Sequence, residues 1–217
     1  MIHIECDAIL FDLDGVLIDS TVCITRHWQQ WAQKHGLDLA NIMQVAHGRR
    51  TVETIQLVAP HLPADEEAKR FAAVEAVDTD GVIAIEGASQ LLSLLSSDTW
   101  AIVTSGTRDV ATARLRHTGL PVPGILVAAD DVTNGKPNPE PYLVAAKGLG
   151  ISPDKCVVIE DAQAGVEAAR SAGMQAIAIA TTHAHHSLAK ANAIAEHLSD
   201  IQIENGSSYR LAIQIDK

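Results

Sequence analysis

Two carboxylates stand one residue apart in FDLDGVLIDS, residues 11–20, directly after the apolar run Ala8-Ile9-Leu10-Phe11. A strand ending in Asp12 and Asp14 crowds two negative charges. In water-poor surroundings each raises the other's pKa unless a cation sits among them. Matching chemistry follows other apolar runs. VTSGT offers Thr104 and Ser105, NGKPNPEPY holds Lys136 before Pro137, and VVIEDA ends in Glu160 and Asp161. The proline favours extended backbone at the lysine. Oxygen ligands without His or Cys suit Mg²⁺, which takes few carboxylates together with waters and a phosphate. A hydroxyl, backbone N–H groups and a lysine suit phosphate oxygens. Carboxylates form aspartyl-phosphates, which suits Asp12 as nucleophile. Asp14, two residues on, suits a general acid that protonates the leaving oxygen and then a base that activates water.

These residues form one site only if the fold gathers them. Apolar runs bounded by turn residues predict strands at Ala8–Phe11, Trp100–Val103, Ile125–Ala128, Cys156–Ile159 and Gln175–Ile179. Helical periodicity lies near Gly87–Leu95, Arg108–Thr118, Pro139–Leu149 and Ala164–Ala172, with Gly119, Gly150 and Gly173 as stop signals. Strand alternating with helix predicts an α/β fold, a Rossmann-like parallel sheet covered on both faces. Such sheets bind ligands beyond the carboxyl ends of their strands, where all four stretches would converge. The alternation breaks between Ser20 and Ile83. That interval shows three helix-like pieces, Thr21–His35, Val52–Ala59 and Ala64–Ala76. It is too long for a crossover and too periodic for a loop. It predicts a small helical domain over residues 19–83, inserted into a core of residues 1–18 and 84–217. Two β-like runs around Asn205-Gly206 predict a hairpin.

Composition narrows the function classes. Aromatics make up 3% of the 217 residues, so Ala, Val, Leu and Ile must build the core. A net charge of −11, without a Lys/Arg-rich cluster, argues against nucleic acid or an anionic membrane as partner. An anionic small metabolite needs positive charge gathered locally, as at Lys136. No apolar run approaches a membrane span, and MIHIECDAIL lacks the basic and long apolar regions of a secretory signal. Cys6, Cys23 and Cys156 are odd in number and without CxxC spacing, which reads as free thiols in a reducing cytoplasm. Nothing in the chain sets an oligomeric state, and a monomer is the expectation.

With these motifs in place, the chain resembles the haloacid dehalogenase superfamily, of the type with an α-helical cap inserted after the first strand. DLDGV matches the first motif, Thr104 the second, Lys136 the third and IEDAQAG the fourth. Within that superfamily HGRRT, WAIVTSGTRDVA, GKPNPEPYL and IAIATT resemble small sugar- and polyol-phosphate phosphatases. Glu86 departs from the pattern, since relatives often carry Pro before the equivalent of Gly87. The resemblance implies Asp12 as nucleophile and Asp14 as general acid/base. It implies Mg²⁺ on the Asp12 carboxylate, the Asp14 main-chain carbonyl and Asp161, with Glu160 helping through water or orienting its neighbours. It also implies Thr104, Ser105 and Lys136 on the phosphoryl group of a small phosphorylated metabolite.

The segment HGRRT lies where the family carries its specificity loop. Arg50 is the leading candidate for substrate contact, because guanidinium suits phosphate and polyol oxygens; Arg49 and His47 follow. His183, His185 and His186 read as a polar loop, because neighbouring histidines cannot all face one ion. Trp28 and Trp31 read as cap core or cap–core interface rather than a base-stacking platform. Two other functions use the same scaffold, a β-phosphoglucomutase-like mutase and a catalytically silent phosphosugar-binding module. The mutase needs cap cations for a second phosphate, and FAAVEAVDTD (71–80) has none. The silent module is disfavoured by the filled catalytic positions.

Overall fold

The computed structural model describes residues 2–205 and 209–213. Its centre is a six-stranded parallel sheet in the order β6-β5-β2-β7-β8-β9. The strands are β2 (Ala8–Phe11), β5 (Trp100–Val103), β6 (Leu126–Val127), β7 (Cys156–Glu160), β8 (Gln175–Ile179) and β9 (Ala193–Ala195). Alternation along β2 explains why it is apolar throughout. Ile9 and Phe11 enter one core cluster with Trp100, Ile159 and Ile177, while Ala8 and Leu10 enter another with Val158, Tyr142 and Ala176. A central parallel strand is buried on both faces, so both residue parities must be apolar.

Helices α5 (Ala88–Ser93), α6 (Arg108–Thr118), α7 (Glu140–Leu149) and α8 (Gln163–Ser171) alternate with these strands. Left-handed glycines at Gly119 and Gly150 end α6 and α7, as their stop signals predict. A separate antiparallel sheet has the order β1-β11-β10, from β1 (Ile2–Cys6), β10 (Ile201–Asn205) and β11 (Tyr209–Ile213). The two runs of the expected hairpin do pair, Ile203 opposite Leu211. Its turn at Gly206 lies outside the described residues.

Between Asp19 and Ile83 the chain forms four helices, where periodicity predicts three: α1 (Thr21–His35), α2 (Leu39–Ala46), α3 (Thr51–Val58) and α4 (Ala64–Glu75). The extra one, α2, is eight residues long, and the Asp38 carboxylate caps it through Ala40 N–H (2.9 Å). These helices enclose their own apolar cluster of Trp28, Trp31, Ile42, Ile55 and Phe71. The excursion leaves and returns through a two-residue antiparallel ribbon, β3 (Ile18–Asp19) against β4 (Ile83–Ala84). Arg26 and His27 on α1 both bind Asp78 ahead of β4, at 2.7 and 2.9 Å. No helix among the described residues is long and apolar enough to cross a membrane. All three cysteines are free and buried.

Candidate active site

The carboxyl ends of β2, β5 and β7 meet at Asp12, Thr104 and Glu160. Register fixes this, with Phe11 opposite Ile102 on one side and Ile159 on the other. The Asp12 N–H continues the ladder to the Ile159 carbonyl (2.9 Å), so the carboxylate leaves the sheet from a rigid backbone. Lys136 reaches this point from the loop before α7 and is buried. Its three protons are taken by Asp12 Oδ1, Glu160 Oε1 (2.6 Å) and the Val103 carbonyl (3.0 Å). Burial disfavours its charge, but Asp12 and Glu160 outweigh that and raise its pKa.

Glu160 stands beside Asp12 and Asp161, the residues expected to hold a metal. Its Oε1 accepts from Lys136 and the Tyr142 hydroxyl (2.7 Å), and Oε2 accepts from the N–H groups of Asp161 (3.0 Å) and Ala162 (3.1 Å). Four donors occupy it, and it is wholly buried. These bonds fit the orienting alternative, with Glu160 positioning Lys136. A Cβ on Gly165 would collide with the Glu160 carboxylate, so the glycine of EDAQAG is there for close approach. Gly15 of DLDG combines both demands: its φ is +91°, and a Cβ would strike the Asp161 carboxylate.

Asp161 accepts from the Thr182 hydroxyl and is buried. One carboxylate oxygen each from Asp12, Glu160 and Asp161 lies within 4.8 Å of the others. Against these three charges the protein sets one ammonium. Burial pushes the Asp12 carboxyl up to about 8, with Lys136 pulling it down and Glu160 and Asp14 raising it further. Burial likewise raises Asp161 well above the carboxylate range, with Glu160 and Asp12 adding to it. Charge-deficient oxygen ligands of this kind fit a hard divalent cation, whose charge would reverse both shifts.

Asp14 lines a cavity together with Asp12, Thr104 and Asp161. Its Oδ1 accepts from the Ser20 hydroxyl (2.5 Å) and from Arg114 (2.8 Å). Arg114, on α6, is buried, and its other terminal nitrogen donates to Glu75 at the end of α4 (2.8 Å). Arg114 and Glu75 escaped the sequence reading, yet each lies on a helical stripe. Val110, Ala111, Arg114 and Leu115 are the buried residues of α6, and Glu67, Phe71 and Glu75 those of α4. A charge spaced onto an apolar face was the available signal. Ser20, Tyr142 and Thr182 were also missed; as single hydroxyls they carry no spacing to read.

Thr104 is buried, and its Oγ1 accepts from Gly106 N–H (3.0 Å). Ser105 lines the cavity, but its hydroxyl donates to the Gly48 carbonyl of the helical insert (2.8 Å) and so joins the two parts of the chain. His47 and Arg49 also line the cavity. The His47 ring meets His183 edge to face at 5.4 Å, and burial followed by His183 lowers its pKa. His183 contacts Thr182 while His185 pairs with Glu196, so the three loop histidines do not converge on one ion.

Arg50 overturns the expectation placed on it. Its guanidinium donates to Glu53 (2.7 Å) and to the carbonyls of Val132 (3.0 Å) and Thr133 (2.8 Å), with a longer contact to Ala129. Those carbonyls precede Lys136, outside the cavity that Arg49 lines. Glu53 also accepts from Gly135 N–H (3.0 Å). Arg50 is thus a tie between the helical insert and the lysine loop, because its fork of donors is already filled by backbone.

Residues 6–173 match the haloacid dehalogenase-like hydrolases, and the chain belongs to that family. Among characterised relatives it is 42% identical over 180 residues to hexitol phosphatase A of Escherichia coli (strain K12), covering 81% of this chain and 83% of the relative. It is 38% identical over 193 residues to glycerol-1-phosphate phosphohydrolase 2 of Saccharomyces cerevisiae, covering 83% and 77%. Among solved structures, a hydrolase from Pseudomonas syringae superposes with a TM-score of 0.78 at 28% identity, covering 88% of this chain and 94% of that one.

Proposed function

We propose that this chain is a Mg²⁺-dependent phosphatase that hydrolyses a small sugar or polyol phosphate monoester through a phospho-aspartate, with residues 19–83 acting as a cap over the site. The observation that carries the reading is the pairing of Asp12, tied to Lys136, with Asp14, tied to Arg114, on one cavity. Lys136 engages Asp12 Oδ1, which leaves Oδ2 to attack phosphorus. The bond to the leaving oxygen breaks as Asp14 delivers a proton to it. Ser20 and Arg114 both donate to Asp14 Oδ1, so Oδ2 is the oxygen that carries that proton. Asp14 then takes a proton from water, which attacks the acyl phosphate, releases phosphate and restores Asp12. Thr104 holds a phosphoryl oxygen, and Lys136 joins it by turning one of its three protons away from a present acceptor. Mg²⁺, held by Asp12, Asp161 and the Asp14 main-chain carbonyl, would supply charge neutralisation of the phosphoryl group. Glu160 keeps Lys136 in place. The names of the relatives support a sugar or polyol ester as substrate.

The test is phosphate release from p-nitrophenyl phosphate with Mg²⁺, by the wild-type protein and by Asp12→Asn. Wild type is expected to turn over. The variant, unable to accept a phosphoryl group, is expected to fold and to show no more than a trace. Comparable turnover by Asp12→Asn would refute the covalent route.

A further inference from the structure

Arg114 sits in an unusual balance. It is buried between two carboxylates on opposite sides of the cleft, Asp14 from the core and Glu75 from the helical insert, both at 2.8 Å. Among the described residues its buried Nε has no hydrogen-bond partner, and only one Glu75 oxygen is engaged. Burial raises the Glu75 pKa, and Arg114 works against that rise. Glu75 and Arg114 line the same cavity as Asp14, where Ile24, Trp28 and Phe71 add apolar surface. The other cavity arginine, Arg49, stands elsewhere. It follows Gly48, whose carbonyl holds Ser105 beside Thr104, and its charge acts on Glu167 of α8. Arg49 therefore belongs to the phosphoryl end.

We propose that Glu75, held by Arg114, is the specificity-determining group of this site. It selects esters whose leaving group is a neutral, hydroxyl-bearing alcohol and rejects those whose leaving group carries an anion. The inference rests on the phosphatase reading and extends it to the leaving-group side. A hydroxyl is a donor, so it can donate to the free Glu75 oxygen, which only accepts. A carboxylate or second phosphate has only acceptors to offer. It would meet a carboxyl oxygen it cannot bond and a guanidinium whose charge two carboxylates already share. Buried polar groups left unpaired by the wrong substrate are the strongest source of discrimination a pocket has. The apolar residues suit the carbon face of a polyol.

Three esters separate the outcomes: sorbitol 6-phosphate with a neutral polyol, phosphoglycolate with an anionic alcohol, and p-nitrophenyl phosphate with no aliphatic hydroxyl. Wild type is expected to prefer the first over the second. Glu75→Gln keeps the size and an acceptor for Arg114 but removes the charge. The kcat/KM ratio of sorbitol 6-phosphate to p-nitrophenyl phosphate is expected to fall ~10–100-fold, mainly through KM, while phosphoglycolate gains relative to both. Should Glu75→Gln fail to fold, Glu75→Asp keeps the charge and withdraws it by one methylene. That variant should weaken the polyol ester while still rejecting phosphoglycolate. Equal losses on all three esters, or unchanged ratios, would overturn the assignment of Glu75 while leaving the phosphatase reading intact. A wild-type protein that releases phosphate from none of them overturns both.

Discussion

Arg50→Ala separates a substrate-reading arginine from a tie between cap and core. The side chain is 14% exposed and joins α3 to the loop at 132–133 through two good charge-assisted bonds, 3.0 and 2.8 Å, with a weaker one to Ala129. Hydrogen bonds from charged donors contribute about 1.5–3 kcal/mol when sheltered. Here water replaces the guanidinium as the cleft opens, so the whole tie is worth roughly that for the pair. Removing it shifts the closed-to-open equilibrium by ~10–150-fold, which caps the loss in kcat/KM. Closure serves every substrate alike. Sorbitol 6-phosphate and p-nitrophenyl phosphate should therefore lose kcat/KM by the same factor within about threefold, measured side by side at saturating Mg²⁺. A loss confined to the polyol ester would show that the guanidinium leaves its carbonyls to bind substrate, and would refute the tie.

Asp161→Asn should raise the Mg²⁺ concentration needed for half-maximal rate by more than ~10-fold, with part of the rate recovered at high metal; an unchanged metal dependence would remove Asp161 from the ligand set. Glu67 sets an acid limit on the helical insert. Burial would raise its carboxyl, but hydrogen bonds from Trp31, Lys34, His35 and Arg70 win and hold it down at about 2. A depressed folded pKa means stability that is present above the unfolded value near 4.3 and lost as pH falls towards 2. Trp31 donates to Glu67 at 3.0 Å, so tryptophan fluorescence should report acid loosening in that window. Glu67→Gln should cost about 1–3 kcal/mol at pH 7 and flatten the acid dependence; an unchanged acid midpoint would rule Glu67 out.

The core was legible because its signals are local and redundant. Four apolar residues in Ala8–Phe11 must be a strand buried on both faces, and a carboxylate at its end can only be at the ligand edge. Each further strand end repeats that logic, so Asp12, Thr104, Lys136, Glu160 and Asp161 could be gathered before any coordinates. The roles within the gathering were less legible. Glu160 and Asp161 are adjacent and chemically alike, yet four donors bind the first while the second meets one threonine hydroxyl. That division follows from Tyr142 and two backbone N–H groups turning inward, which spacing along the chain does not encode.

The expectation placed on Arg50 failed for a related reason. Arg49 and Arg50 are neighbours on one turn, and sequence ranks them only by residue chemistry, which is identical. Arg49 lines the cavity and Arg50 donates to the loop before the lysine because neither is helical: Arg49 lies in the bend before α3 and Arg50 is its extended N-cap, with ψ at 145°. Which of the two directions is the cleft depends on how α3 sits over the core, and that is fixed by long-range contacts such as Glu53 with Gly135 and Ser105 with Gly48. The same contacts place Glu75 against Arg114, thirty-nine residues away in sequence. The carboxylates and hydroxyl of the site are thus written at strand ends, where one dimension suffices, whereas the contacts of Arg50 and Glu75 are written across the seam between insert and core.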